Sequence, residues 1–234
     1  MKHWVVIPAA GVGARMKADR PKQYLPLRGR TVIEHTLSCF THHPAIAGIV
    51  VALSPDDPYW PGLHIDSAVP LHVAAGGQER CHSVLNALHL LVQHAEANDW
   101  VLVHDAARPC LTRADIDKLC AELRDDSVGG ILAVPVRDTM KRADAEGRIS
   151  ATEDRNGLWH ALTPQMFRLG LLTQALEQAL ADGFVVTDEA SAAEHAGLKP
   201  KLVEGRADNI KVTRPEDLAL AEFFLSRQPP VGRG

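Results

Sequence analysis

Trp4-Val5-Val6-Ile7, then Pro8-Ala9-Ala10-Gly11-Val12-Gly13-Ala14-Arg15-Met16, then Pro21-Lys22-Gln23-Tyr24-Leu25-Pro26-Leu27: this is the stretch from which the rest of the chain is read. The short apolar run reads as a buried strand. It empties into a loop of small residues, whose backbone N–H groups can approach an anion closely. One Arg and, seven residues later, one Lys accompany that loop. Two fixed cations beside small residues suit a triphosphate, because they spread charge that builds on phosphoryl oxygens. Without Arg15 and Lys22 the loop would be as easily structural as functional.

Outward from this stretch, strands and helices alternate. Thr31-Val32-Ile33-Glu34 is a capping box that opens a helix over 31–42, stopped by Pro44. Strands are predicted over 46–53, 71–74, 100–103 and 128–136. Between them, Val84, Leu85, Leu88, Leu91 and Val92 repeat at helical spacing. Thr112 to Asp115 begins another helix, its acid placed where the helix dipole favours it. Such alternation predicts an α/β fold: a Rossmann-like, mostly parallel sheet with helices on both faces. At Arg137 the alternation breaks. Residues 137–155 are polar, with a turn at Ala145-Glu146-Gly147, and read as a hairpin or extended arm that no core can bury. A strand over 157–163 follows and is expected to end at Pro164. Then come helices over 169–181 and from Thr187 to Gly197, a short strand or link at Phe184-Val185-Val186, and a strand at Lys201-Leu202-Val203. Thr213-Arg214-Pro215-Glu216 reads as a second capping box, opening a last helix to about Ser226. No repeat or linker divides the 234 residues, so one domain is expected, with the arm at about 137–157.

Net charge is −4 and pI about 6.3, which argues against a general nucleic-acid or membrane-surface binder. Cys39, Cys81, Cys110 and Cys120 form no C-x-x-C pair and no zinc spacing, so free thiols in a reducing compartment are expected. Cys81-His82 and His42-His43 read as incidental adjacencies. No run approaches the ~20 apolar residues of a membrane span. The expected location is the cytoplasm.

The chemistry-bearing motifs exclude several classes. The loop lacks the third glycine of a dinucleotide fingerprint, and Leu53-Ser54-Pro55 follows the second strand where an acid would be needed. There is no G-K-[ST], no G-x-S-x-G and no H-E-x-x-H. Asp105 follows the strand Trp100-Val101-Leu102-Val103, and ligands bind at the carboxyl ends of strands in open α/β sheets. A carboxylate beside a triphosphate is a natural magnesium ligand, since Mg²⁺ prefers one or two carboxylates plus phosphate oxygens. A loop-bracing Asp is the plainer alternative. Arg108 either binds a second anion or pairs with Asp105. Thr187-Asp188-Glu189 and Asp208-Asn209-Ile210-Lys211, each alone, read more easily as caps or turns.

Taken together, several blocks in order resemble the 2-C-methyl-D-erythritol 4-phosphate cytidylyltransferases of the non-mevalonate isoprenoid pathway. They are Pro8-Ala9-Ala10-Gly11 through Arg15, Pro21-Lys22-Gln23-Tyr24, Gly76-Gly77 with Arg80 and Ser83-Val84, Val103 through Pro109, Pro135-Val136-Arg137-Asp138-Thr139, Leu162-Thr163-Pro164-Gln165, Thr187-Asp188-Glu189 and Asn209-Ile210-Lys211. The resemblance covers nearly the whole chain. It implies that CTP and Mg²⁺, or another divalent cation, are used, and that the 4-phosphate of methylerythritol attacks the CTP α-phosphorus. It places Pro8, Ala9, Ala10, Gly11, Gly13, Gly77, Gln78, Arg80 and Ser83 around the nucleotide, and gives Arg15 and Lys22 the transition-state charge. Asp105 holds the metal and helps place the substrate. Arg108, Thr163, Thr187 and Lys211 lie around the sugar phosphate. The arm clasps a second subunit, so that Thr139 and Arg155 reach the neighbour's site in a two-fold dimer. Gln78 stands where some relatives carry an acid. The rival within the class is a cytidylyltransferase acting on ribitol 5-phosphate; the rival outside it is a silent nucleotide-binding regulatory subunit, which would have no need of Arg15, Lys22 and Asp105 at once.

Overall fold

The computed structural model describes residues 1–11, 16 and 19–228. Arg15 and Gly13 lie outside the described residues. Strand β1 (His3–Pro8) is followed by a 3-10 turn at Lys22–Tyr24 and a two-residue ribbon of β2 (Pro26–Leu27) and β3 (Arg30–Thr31). Helix α1 (Val32–Ser38) carries the capping box expected of Thr31 and Glu34, though its regular part ends four residues before the predicted 42. Then come β4 (Ile46–Leu53), β5 (Leu71–Ala75), α2 (Arg80–Leu91), β6 (Trp100–Val103), α3 (Arg113–Leu123) and β7 (Gly129–Pro135). The polar stretch forms the hairpin β8 (Met140–Ala143) and β9 (Ile149–Glu153). β10 (Trp159–Arg168), α4 (Leu169–Ala181), α5 (Glu189–His195), β11 (Lys201–Glu204) and α6 (Pro215–Arg227) complete the chain.

The main sheet has seven strands in the order β11-β7-β10-β6-β1-β4-β5. β1 is parallel to β4 and β6, β4 to β5, and β11 to β7. β10 is antiparallel to both of its neighbours, β6 and β7. No helix connects β7 to β10. The hairpin arm joins them instead, and a strand that returns without a crossover must pair antiparallel. Successive strand residues divide between two cores. Trp4, Val6, Val50, Val101 and Val103 face α2, α4 and α5 on one side. Val5, Ile7, Ile49, Leu102 and Leu132 face α1 and α3 on the other. That two-sided burial is why the strands read as unbroken apolar runs.

Two boundaries differ from the sequence reading. Pro164 does not end its strand: β10 runs on to Arg168, and its pairing with β7 shifts register between Ala161 and Gln165, an irregularity that admits a residue with no N–H to donate. The last helix starts one residue later than the Thr213–Glu216 box implies. Asp217 is the capping acid, accepting from Thr213 N and Oγ1 at 2.8 Å and from Arg214 N at 2.9 Å. Of the two readings of residues 184–186, a short strand or a link, the structure has the link.

Candidate active site

The carboxyl ends of β1, β4, β5 and β6 meet at one edge of the sheet. β10 runs the other way, so its first half reaches the same edge. Leaving β1, Ala9 N donates to Ala52 O at 2.8 Å, and the Gln23 amide donates to Ala9 O at 2.7 Å and Gly11 O at 3.2 Å. Leaving β5, Gly76 N donates to Leu53 O at 2.6 Å and Gly77 N to Ser83 Oγ at 3.0 Å. Both glycines are required by close approach. A Cβ on Gly76 would lie 2.3 Å from the Ala10 Cβ, and one on Gly77 2.3 Å from the His82 Cβ. The two loops thus press together around a cavity of about 190 Å³. Its walls are Pro8, Ala9, Ala10, Gly11, Lys22, Gln23, Gly77, Gln78, Glu79, Arg80, Ser83, Asp105, Ala106, Ala107 and Lys211.

A second cavity of about 200 Å³ adjoins it, walled by Arg80, Asp105, Arg108, Ala161, Leu162, Thr163, Gln165, Thr187, Asp188 and Lys211. Arg80, Asp105 and Lys211 belong to both. Asp105 is the centre of this shared wall, only 6% exposed. Its Oδ1 accepts from Arg80 Nε at 3.0 Å, and its Oδ2 from Arg108 Nε at 3.2 Å and Lys211 Nζ at 3.0 Å. Burial alone would raise its pKa, but Arg80, Lys211 and Arg108 outweigh burial and hold the carboxyl far below the usual carboxylate range. Arg108 also donates to Asn209 O at 2.8 Å, and Lys22 Nζ donates to Val212 O at 2.9 Å, which ties the nucleotide-side turn to the segment carrying Lys211.

Beneath Asp105 runs a directed chain of hydrogen bonds. The Asp105 N–H donates to Thr163 Oγ1 at 3.1 Å. Thr163 Oγ1 lies 2.9 Å from His104 Nδ1, and His104 Nε2 lies 3.1 Å from Arg108 O. Burial pushes the His104 pKa down to about 4, so the ring is neutral near pH 7. A carbonyl only accepts, so Nε2 carries the proton and Nδ1 accepts from the threonine hydroxyl. His104 is not among the expected site residues, although its place within the block Val103 through Pro109 is a signal for it.

All the described residues expected around a nucleotide line the first cavity, and Arg108, Thr163, Thr187 and Lys211 line the second. Thr139 and Arg155 do not. They lie exposed at the base of the arm, where Arg155 Nη1 donates to Arg137 O. Two further residues were missed. Gln23 is 3% exposed and braces the small-residue loop; its place within Pro21-Lys22-Gln23-Tyr24 was the available signal. Glu189 is fully buried and binds both terminal nitrogens of Arg80, at 2.6 and 3.1 Å. In the sequence Glu189 reads with Thr187 and Asp188 as a cap or turn, and the structure gives the cap to Asp188.

Two adjoining polar cavities at the strand ends of an α/β sheet, sharing one carboxylate amid three cations, are what a nucleotidyltransferase needs to bring two anionic substrates together. A family model described as 2-C-methyl-D-erythritol 4-phosphate cytidylyltransferase matches residues 3–227, and the chain belongs to that family. Curated proteins of this name from Pseudomonas putida and Pseudomonas aeruginosa are each 66% identical, over 216 and 218 residues, with 92% of either chain covered. The crystal structure of the Francisella tularensis 2-C-methyl-D-erythritol 4-phosphate cytidylyltransferase superposes with a TM-score of 0.83 at 37% identity, covering 96% of this chain and 100% of that one.

Proposed function

We propose that this chain joins CTP to 2-C-methyl-D-erythritol 4-phosphate. An oxygen of the acceptor's phosphate attacks the α-phosphorus of CTP, a new P–O–P bridge forms, and the bond to the β-phosphate oxygen breaks to release pyrophosphate. The observation that carries this reading is the pair of adjoining cavities sharing Arg80, Asp105 and Lys211. Two phosphates meeting there would each find fixed cations, which offset the repulsion between anions. The rate enhancement then comes from positioning and charge stabilisation, without a protein nucleophile. Pro8, Ala9, Ala10, Gly11 and Gly13 wrap the triphosphate; Gly77, Gln78 and Ser83 face cytosine and ribose; Arg15 and Lys22 meet the charge that grows at the α-phosphorus. Arg108, Thr163, Thr187 and Lys211 orient the acceptor.

The donor set suits Mg²⁺ or a similar hard cation. Asp105 is ionised, and its two oxygens offer four acceptor positions, of which the three neighbouring cations take three. One carboxylate beside a phosphate cavity is the usual protein share of such a site. Asp105 would be its ligand, and the ion would neutralise triphosphate charge.

The arm supports a homodimer with exchanged arms. Met140, Ile149 and Leu158 are exposed on it or at its base, Ile149 to 69%. Thr139 and Arg155 would act in the neighbour's acceptor cavity. A cytoplasmic location is supported by four cysteines that are all free thiols. Among the described residues no helix is long and apolar enough to cross a membrane. The deciding experiment is pyrophosphate release across a panel: CTP, ATP, GTP and UTP against methylerythritol phosphate and ribitol 5-phosphate. CTP with methylerythritol phosphate should lead by a wide margin; ribitol 5-phosphate as the better acceptor overturns the reading.

A further inference from the structure

Arg80 stands where the two cavities meet, yet the group that fixes it touches neither. Glu189 opens α5 with its carboxylate wholly enclosed. It takes Nη1 and Nη2 of Arg80, so that only Nε is left to donate to Asp105 Oδ1. A guanidinium beside a lone carboxylate prefers the two-point fork. Asp105 Oδ2 already takes Arg108 and Lys211, so that without Glu189 a terminal nitrogen of Arg80 would be drawn to Oδ1 and would fill the one acceptor position left open. A buried charge is tolerated only when fully paired, and here the chain maintains one beyond the reach of any ligand in either cavity.

Glu189 is in turn held from the acceptor side. Gln165, in the wall of the second cavity, accepts from Ala190 N at 2.9 Å and donates to Asp188 Oδ2 at 2.8 Å, while Asp188 caps Ser191 N at 2.9 Å. Arg80 itself begins α2, beside Gly77 and Gln78 on the nucleotide side. The Glu189–Arg80 pair therefore bridges the two halves of the site. Three cations against two carboxylates leave this cluster one net positive charge, suited to receiving phosphates.

We propose that Glu189 is a positioning residue for the transfer reaction: it clamps the Arg80 guanidinium at the junction of the two cavities and keeps Asp105 from being closed over. The inference rests on the reaction proposed above.

The test uses the full chain as wild type, Glu189→Gln, Arg80→Lys and the double variant. The readouts are kcat, the KM for CTP and for the sugar phosphate, and the thermal midpoint. Glu189→Gln keeps the volume and removes the charge; it should lower kcat by about tenfold or more, with the KM for CTP little changed. Arg80→Lys keeps the charge and loses the fork, and should lower kcat at least as much; since Arg80 also lines the first cavity, a rise in its KM for CTP is expected as well. The double variant should be no slower than the slower single, because both changes remove one arrangement. Wild-type kcat in Glu189→Gln overturns the proposal. So do losses that multiply in the double variant, or a loss that disappears at an assay temperature well below the variant's midpoint. If Glu189→Gln does not fold, Arg80→Lys decides, and an unchanged kcat there overturns the proposal equally. A wild type that releases no pyrophosphate from CTP overturns the reaction and this inference with it, whereas wild-type turnover with silent substitutions overturns the inference alone.

Discussion

Asp105 and His104 are neighbours in sequence with opposite electrostatic fates. One is buried and ionised because three cations surround it; the other is buried and neutral because burial outweighs what its hydrogen bonds and the neighbouring Asp105 carboxylate give back to the charged ring. Both make the fold sensitive to acid. The unfolded chain protonates His104 near 6.5, while the folded chain resists until about 4. The stabilisation is thus whole above pH ~6.5 and is lost as pH falls towards 4, up to about 3 kcal/mol for this one group. Asp105 adds a further loss below the ordinary carboxylate range. Thermal midpoints measured from pH 7.5 to 4 should fall, and His104→Gln should flatten part of that slope; an unchanged slope would show that the ring is not held neutral. For catalysis, Lys22→Ala and Arg15→Ala should each lower kcat by about 10²–10³ with a smaller effect on CTP binding, as when a single charge-stabilising donor is lost. Rapid-quench turnover set against calorimetric CTP binding separates the two effects.

Among the elements, β10 is the least legible, and at α5 the helix is legible but the partner of Glu189 is not. The runs Trp4-Val5-Val6-Ile7 and Trp100-Val101-Leu102-Val103 declare themselves because both faces are buried, and the capping boxes at Thr31 and Thr112 are local chemistry. The continuation of β10 beyond Pro164 depends on pairing with β6 and β7, which no local pattern reports. The enclosure of Glu189 depends on Arg80, 109 positions away. At α5, Asp188→Ala removes the acceptor for Ser191 N and the partner of the Gln165 amide. A cost of about 1–2 kcal/mol is expected, read as a lowered urea midpoint at constant slope. On the arm, Arg155→Ala should raise the KM for the sugar phosphate several-fold and leave CTP affinity nearly intact; steady-state kinetics with each substrate varied in turn decides it.

At the scale of the molecule, the arm carries its apolar side chains where this chain alone leaves them in water. Ile149→Asp should therefore shift a dimer towards monomer in sedimentation and lower activity with it; a monomeric wild type would refute the exchanged-arm assembly. The sequence made the loop after β1 readable, because small residues with flanking cations are a contiguous pattern, whereas Gly77, Gln78, Arg80 and Ser83 on the facing loop are reached by resemblance alone. It left the acceptor half to resemblance, because Arg108, Thr163, Thr187 and Lys211 come from separate elements and are joined only by the sheet. That unequal legibility follows from the reversed strand. The loops after β1 and β5, from the first part of the chain, supply much of the first cavity, while β10 and the segments after it supply much of the second. Among the described residues, Arg80, Asp105 and Lys211 line both. Changes confined to Ala161, Leu162, Gln165, Thr187 and Asp188, which line the second cavity alone, alter that cavity while the first keeps its walls, so selection can retune one without renegotiating the other.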